Sequence, residues 1–214
     1  MSPEVVAALA GTALALVPAT WQRLRHVVTL VHEAGHAVVA LLTGRRLNAI
    51  RLHQDTSGLT VTSGRPRGPG MIATAAAGYL APAALGLGCV LLVDSGHAPW
   101  AWGAALATLA LMLLHIRNWF GLAVVLAAGA VVAVVVWRAS AEVQETAALV
   151  LAWFLLVAAP RSVLDLWSHR RRVRTRTSDA DLLARLTHLP AWAWNLVLLV
   201  LTAGALAVGV RLLV

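Results

Sequence analysis

The feature that most constrains this chain is the recurrence of long apolar runs. Segments near Pro3–Pro18, His26–Thr43, Pro69–Val93, Trp100–Ile116, Trp119–Trp137, Glu145–Trp167 and Pro190–Leu213 are close to the roughly 20 apolar residues that cross a hydrocarbon core. Charge supports that reading. Only 12% of the 214 residues are charged and 60% are hydrophobic, whereas an average soluble domain is about 25% charged. So little charge cannot cover a water-facing surface, and so much apolar content excludes a disordered chain. The single cysteine, Cys89, excludes a disulfide scaffold. The expected fold is all-α: one integral membrane domain over residues 1–214, a polytopic bundle of about six to seven transmembrane helices. The first segment lacks a basic leader, carries Glu4 and has no convincing A-x-A cleavage site, so it is read as a retained span rather than a signal peptide.

Two polar stretches interrupt the spans. Between Gly44 and Gly68, Ile50 and Leu52 answer Leu59 and Val61 across Asp55-Thr56-Ser57-Gly58. Alternation either side of a turn predicts a short β-hairpin. Between His169 and Leu189, Ser178 is placed to cap a short helix over Asp179–Leu186.

The net charge of +8 comes with 17 basic residues, all of them Arg. Exclusive use of Arg points to a GC-rich, bacterial genome. In a membrane protein, excess Arg sets orientation and meets anionic lipid, so no nucleic-acid partner is expected. With the N-terminus in the cytoplasm, Arg45, Arg46, Arg51, Arg65, Arg67, Arg117 and the Arg161–Arg185 stretch fall inside. Arg23, Arg25 and Arg138 fall outside, as does the C-terminus. The expected location is the bacterial plasma membrane.

The chemistry is concentrated in the second span, which contains His32-Glu33-Ala34-Gly35-His36. Residues i and i+4 share a helical face, so both imidazoles can reach one ion. Zinc suits such nitrogen ligands and leaves a position for water. Glu33, beside that face, can take the proton of the activated water. Three ionisable groups inside an apolar span are costly unless they serve a site. A tetrahedral site needs a third protein ligand. Asp165, near the end of the sixth span, is the first choice, because Pro160 before it can break the helix and turn the carboxylate inward. A pairing of Asp165 with Arg161 is the competing reading. His53, Asp179 and Asp181 are further ligand candidates. Gly78 and Tyr79, near Ala75–Ala77, read as a helix-packing stripe. The tryptophans near predicted span ends read as an interfacial belt.

With these motifs in view, the chain resembles the site-2 protease (M50) family of intramembrane zinc metalloproteases, in its compact bacterial M50B-like branch. The resemblance rests on the HEAGH helix, the hairpin-like segment after it and the late acidic residue following a proline. It extends to Gly44-Arg45-Arg46, Gly58-Leu59-Thr60, Ala77-Gly78-Tyr79-Leu80-Ala81-Pro82, Arg117-Asn118-Trp119-Phe120-Gly121 and Ser178-Asp179-Ala180-Asp181. It implies zinc held by His32, His36 and Asp165, with Glu33 as general base and a transmembrane protein as substrate. The chain departs from the family pattern in one place. Asp165 is followed by Leu166 rather than Gly, and no Asn precedes Pro160 nearby; Asn118 could supply that amide or simply end a helix.

Three functions remain in play. The first is an intramembrane endopeptidase that pairs an unwound substrate with the hairpin edge. The others are a metal-binding scaffold without protease activity, and a transporter or pore.

Overall fold

A computed structural model describes residues 2–172 and 177–213 of the chain. Its elements are α1 (Pro3–Leu16), α2 (Pro18–Leu42), β1 (Arg46–Leu52), β2 (Gly58–Ser63), α3 (Pro69–Asp94), α4 (Ala98–His115), α5 (Trp119–Arg138), α6 (Ala141–Arg172), α7 (Asp179–Leu186) and α8 (Ala191–Leu213). The expected all-α membrane bundle with a small hairpin after the HEAGH helix is the fold observed. Five helices, α3, α4, α5, α6 and α8, are long and apolar enough to cross a membrane. A sixth span is present if α1 and α2 together form one broken crossing.

The pairing of α1 with α2 corrects the expectation of two separate spans. With 14 residues, α1 reaches only about 21 Å, short of a hydrocarbon core. The two helices meet at 94°. Pro18 opens α2, and the residue before it, Val17, is extended (φ −70°, ψ 125°), as a pre-proline residue prefers. The break frees carbonyls at the end of α1, and they find donors. The Thr20 hydroxyl donates to Leu14 and Val17 at 2.9 and 3.0 Å. The Arg161 guanidinium donates to Ala15 and lies 4.2 Å from the ring centroid of Trp21. An otherwise expensive arginine thus closes the bend and stacks on an aromatic face.

Helix α1 packs along α6, α2 along α3, and α8 against both α3 and α6. Small residues permit the close approaches. A side chain on Gly11 would meet the backbone of α6 at Val150 and Phe154, and one on Gly35 would meet Ala77 and Ala81 of α3. The outward faces stay apolar, with Leu126, Val131 and Val134 of α5 and Val200 and Leu201 of α8 exposed, as lipid contact requires. Trp100, Trp119, Trp137 and Trp192 are exposed at helix ends, in keeping with an interfacial belt. Trp21 and Trp102 are buried instead.

Pro160 does not break α6, which runs unbroken past it to Arg172. Within apolar helices an internal proline is tolerated when neighbours satisfy the freed backbone, and Pro82 inside α3 is a second case.

The hairpin pairs antiparallel from Arg46↔Ser63 to Leu52↔Gly58, with an irregularity between Leu47 and Ala49. Its inner residues Ile50 and Leu52 are fully buried. The outer edge of β1 is covered by the α4–α5 connection: Ile50 bridges Ile116, and the Arg117 amide donates to the Ile50 carbonyl at 2.9 Å. The Asn118 side chain then acts as one more strand residue. Its amide donates to the Leu52 carbonyl at 2.6 Å, and its oxygen accepts from the Leu52 amide at 3.2 Å. Asn118 therefore holds the hairpin, and makes no side-chain cap for α5. Among the described residues no strand pairs with the outer edge of β2.

Four spans, α3 to α6, separate the hairpin from α7. An even number of crossings returns the chain to the same side, so the hairpin and α7 share one end of the bundle however α1 and α2 cross.

Candidate metal centre

The HEAGH sequence lies in the middle of α2, where i and i+4 side chains project together. The Nε2 atoms of His32 and His36 stand 3.1 Å apart. The third member of the group is Asp179, the first residue of α7. Its Oδ2 is 3.1 Å from His32 Nε2 and 3.3 Å from His36 Nε2. Three donor atoms thus form a nearly equilateral triangle. Ligands 2.0–2.1 Å from a tetrahedral zinc stand about 3.3 Å from one another. The observed separations fit that requirement and leave one position open on the remaining side.

The surroundings fix these donors. The Nδ1–H of His36 donates to the Thr74 carbonyl of α3 at 2.7 Å, which fixes the ring with Nε2 toward Asp179, the nitrogen that would ligate a metal in place of its proton. The ring of Tyr79 stands edge-on to His32, centroids 4.6 Å apart. Asp179 is partly buried. Burial works to raise its pKa, but the facing His36 and the hydrogen bonds from both imidazoles outweigh it, and the carboxyl is held below its ordinary range. It is therefore an ionised acceptor at neutral pH, as a metal ligand must be.

Gly78 explains how α3 can come so close. A Cβ at this position would fall on the Nε2 atoms of both His36 and His32. The small residue expected to serve helix packing does so, but what packs against it is the histidine pair itself.

Glu33 is only 4% exposed and lies outside the donor triangle. The Thr60 hydroxyl of β2 donates to its Oε2 at 2.6 Å. Gly58 lies directly against the same carboxylate, which a side chain there would strike. The hairpin thus orients Glu33. A cavity of about 1070 Å³ opens in front of the group, walled by α2, the hairpin, the end of α6 and the start of α7.

The structure brings His32, Glu33 and His36 together as expected, and places Asp165 elsewhere. Because α6 continues through Pro160, Asp165 stays on a regular helical surface. It is exposed and lines the cavity, but contributes no atom to the donor group. Nor, among the described residues, does it pair with Arg161, whose guanidinium serves the α1–α2 bend and Trp21. Of the further candidates, His53 sits on the hairpin turn, bound to Ser57. Asp181 pairs with Arg170, and Asp179 completes the triangle. The available signal for Asp179 was its position inside a helix-capping sequence on the same side as the hairpin.

No curated protein and no solved structure matches the chain. The match that is found runs from residue 5 to residue 209, from α1 nearly to the end of α8, and takes in every residue of the donor group. On that extent the chain belongs to the Peptidase M50B-like family.

Proposed function

We propose that this protein is an intramembrane zinc endopeptidase that cleaves transmembrane proteins, with His32, His36 and Asp179 holding the metal and Glu33 acting as general base. The observation that carries the proposal is the 3.1–3.3 Å donor triangle with a buried, separately oriented carboxylate beside it. When bound, zinc supplies Lewis acidity that makes water a usable nucleophile near neutral pH. The chain's own groups do the rest. Glu33 accepts the proton of the attacking water and passes it to the departing amine. Thr60, bonded to Oε2, fixes the carboxylate's rotation. Thr74 keeps the His36 proton on Nδ1. The apolar bundle limits competing water to the cavity.

A transmembrane helix hides its amides in internal hydrogen bonds, so the substrate must unwind before hydrolysis. The unpaired edge of β2, beside Glu33, suits that need. An extended segment adding to this edge by β-augmentation would lie along the cavity. Because β1 is covered by residues 116–118, such a segment has one free edge of the hairpin to choose. The Arg residues flanking the hairpin and α7 favour a site facing the cytoplasm of a bacterial plasma membrane.

The test is cleavage of a transmembrane peptide co-reconstituted with the purified protein in liposomes. Cleavage is expected to stop after metal removal by a chelator and to return with zinc. Cleavage by metal-free protein would reject the proposal. Stoichiometric zinc without cleavage of any membrane peptide would favour the metal-binding scaffold.

A further inference from the structure

Asp179 stands at the start of a helix of only 8 residues, too short to hold its own place in water. Its carboxylate nevertheless meets two histidines from a different helix to within a few tenths of an ångström of equal spacing. Something must fix the start of α7, and the residues on either side of Asp179 are unusually tied. Ser178 caps α7, and Asp181 returns the bond in a capping box. Asp181 Oδ2 accepts from the Ser178 hydroxyl at 2.6 Å and from the Ser178 amide at 3.2 Å. An ordinary capping box ends there. Here Arg170, near the end of α6, reaches the same atoms. Its Nη1 is 2.5 Å from Asp181 Oδ2 and 2.8 Å from Ser178 Oγ.

We propose that Arg170, Ser178 and Asp181 form a positioning clamp that fastens the N-terminus of α7 to α6 and so sets where Asp179 presents its carboxylate. The clamp touches neither substrate nor the two histidines. It acts through Asp179, and it rests on Asp179 being a zinc ligand. Local capping alone would keep α7 helical. The added guanidinium fixes α7 against the bundle, which metal geometry demands and helix formation does not. Asp181 is only 6% exposed, and without Arg170 its carboxylate keeps the Ser178 amide and hydroxyl as donors, so the helix cap survives while its tie to α6 is lost. The carboxylate and the serine hydroxyl share one guanidinium nitrogen, so the three residues are expected to behave as a unit.

The experiment compares the purified parent with Arg170→Gln, Asp181→Asn and the double variant. Zinc affinity is measured by competition with a chromophoric chelator. The visible absorption of the cobalt-substituted protein reports tetrahedral geometry, and melting of the metal-free protein reports fold. Both single variants are expected to lose about 10–100-fold in zinc affinity and to weaken the tetrahedral cobalt bands, with melting of the metal-free bundle near that of the parent. The double variant is expected to lose no more than about the worse single one, because the two changes break one unit. Arg170→Lys, which keeps a cation within reach of both oxygens, should recover most of the affinity. Unchanged zinc affinity and cobalt spectrum in Arg170→Gln would overturn the clamp. So would a loss of affinity matched by an equal loss of fold in both single variants. If Asp181→Asn does not fold, Arg170→Gln, altered at a partly exposed residue, decides the matter. Failure of the underlying zinc reading has a different signature: the parent itself binds no zinc.

Discussion

Glu33→Gln is expected to lower cleavage of a membrane peptide by about 10²–10⁴-fold, the usual contribution of a general base, while zinc content stays at the parent level. The two halves of this result come from separate features of the site. Glu33 gives no atom to the donor triangle, so its loss does not reduce the ligand count. Glutamine matches glutamate in shape and keeps an oxygen that can accept from the Thr60 hydroxyl, now at 2.6 Å from Oε2. The hairpin therefore retains its contact with α2. What glutamine cannot do is accept a proton from water. Cleavage at the parent rate would remove Glu33 from the chemistry. Joint loss of zinc and cleavage would give it a structural role instead.

Gly78→Ala is expected to abolish both zinc binding and cleavage while leaving helical content nearly unchanged. The added methyl would fall on Nε2 of His36 and of His32, the two atoms that must face the metal. Retreat of α3 from α2 is opposed on its other side, where Gly86 is packed directly against Ala152 and Leu156 of α6. Overpacking of this kind costs about 1–3 kcal/mol, which a large apolar bundle survives and a three-atom metal site does not. Gly88 lies on the same helix, and a methyl there would have no atom within 4 Å. Gly88→Ala is therefore the matched control and should bind zinc as the parent does. Zinc content and far-ultraviolet circular dichroism of the two variants, measured together, check the prediction. Parent-level zinc in Gly78→Ala would show that the α2–α3 contact can yield by the width of a methyl group.

What could be read from the sequence was what local pattern encodes. Apolar runs marked the later spans, alternation around Asp55–Gly58 marked the hairpin, and Ser178 marked the cap of α7. The spacing of His32 and His36 places two donors on one face whatever the rest of the fold. The angle between α1 and α2 was not legible. Pro18 signals an interruption, but the 94° turn is set by partners distant in sequence, Arg161 above all. The third member of the donor group was not legible for a related reason. An acid near the end of an apolar span stands out by its cost, and Asp165 is such an acid. Asp179 lies in a polar stretch where an acid is cheap, and it is the tertiary packing of α7, against α3 and α8 and through Arg170 of α6, that brings it to α2. Gly78 was legible as a small residue but not for what it packs against. Small residues permit close approach without specifying the neighbour, and here the neighbour is the histidine pair.

Asp179, not Asp165, is held to complete the metal site with His32 and His36. Zinc content of purified Asp179→Ala and Asp165→Ala, measured side by side, tests this central claim most directly. Asp179→Ala is predicted to lose its zinc, and Asp165→Ala to retain it at the parent level. Zinc kept by Asp179→Ala and lost by Asp165→Ala would contradict the claim.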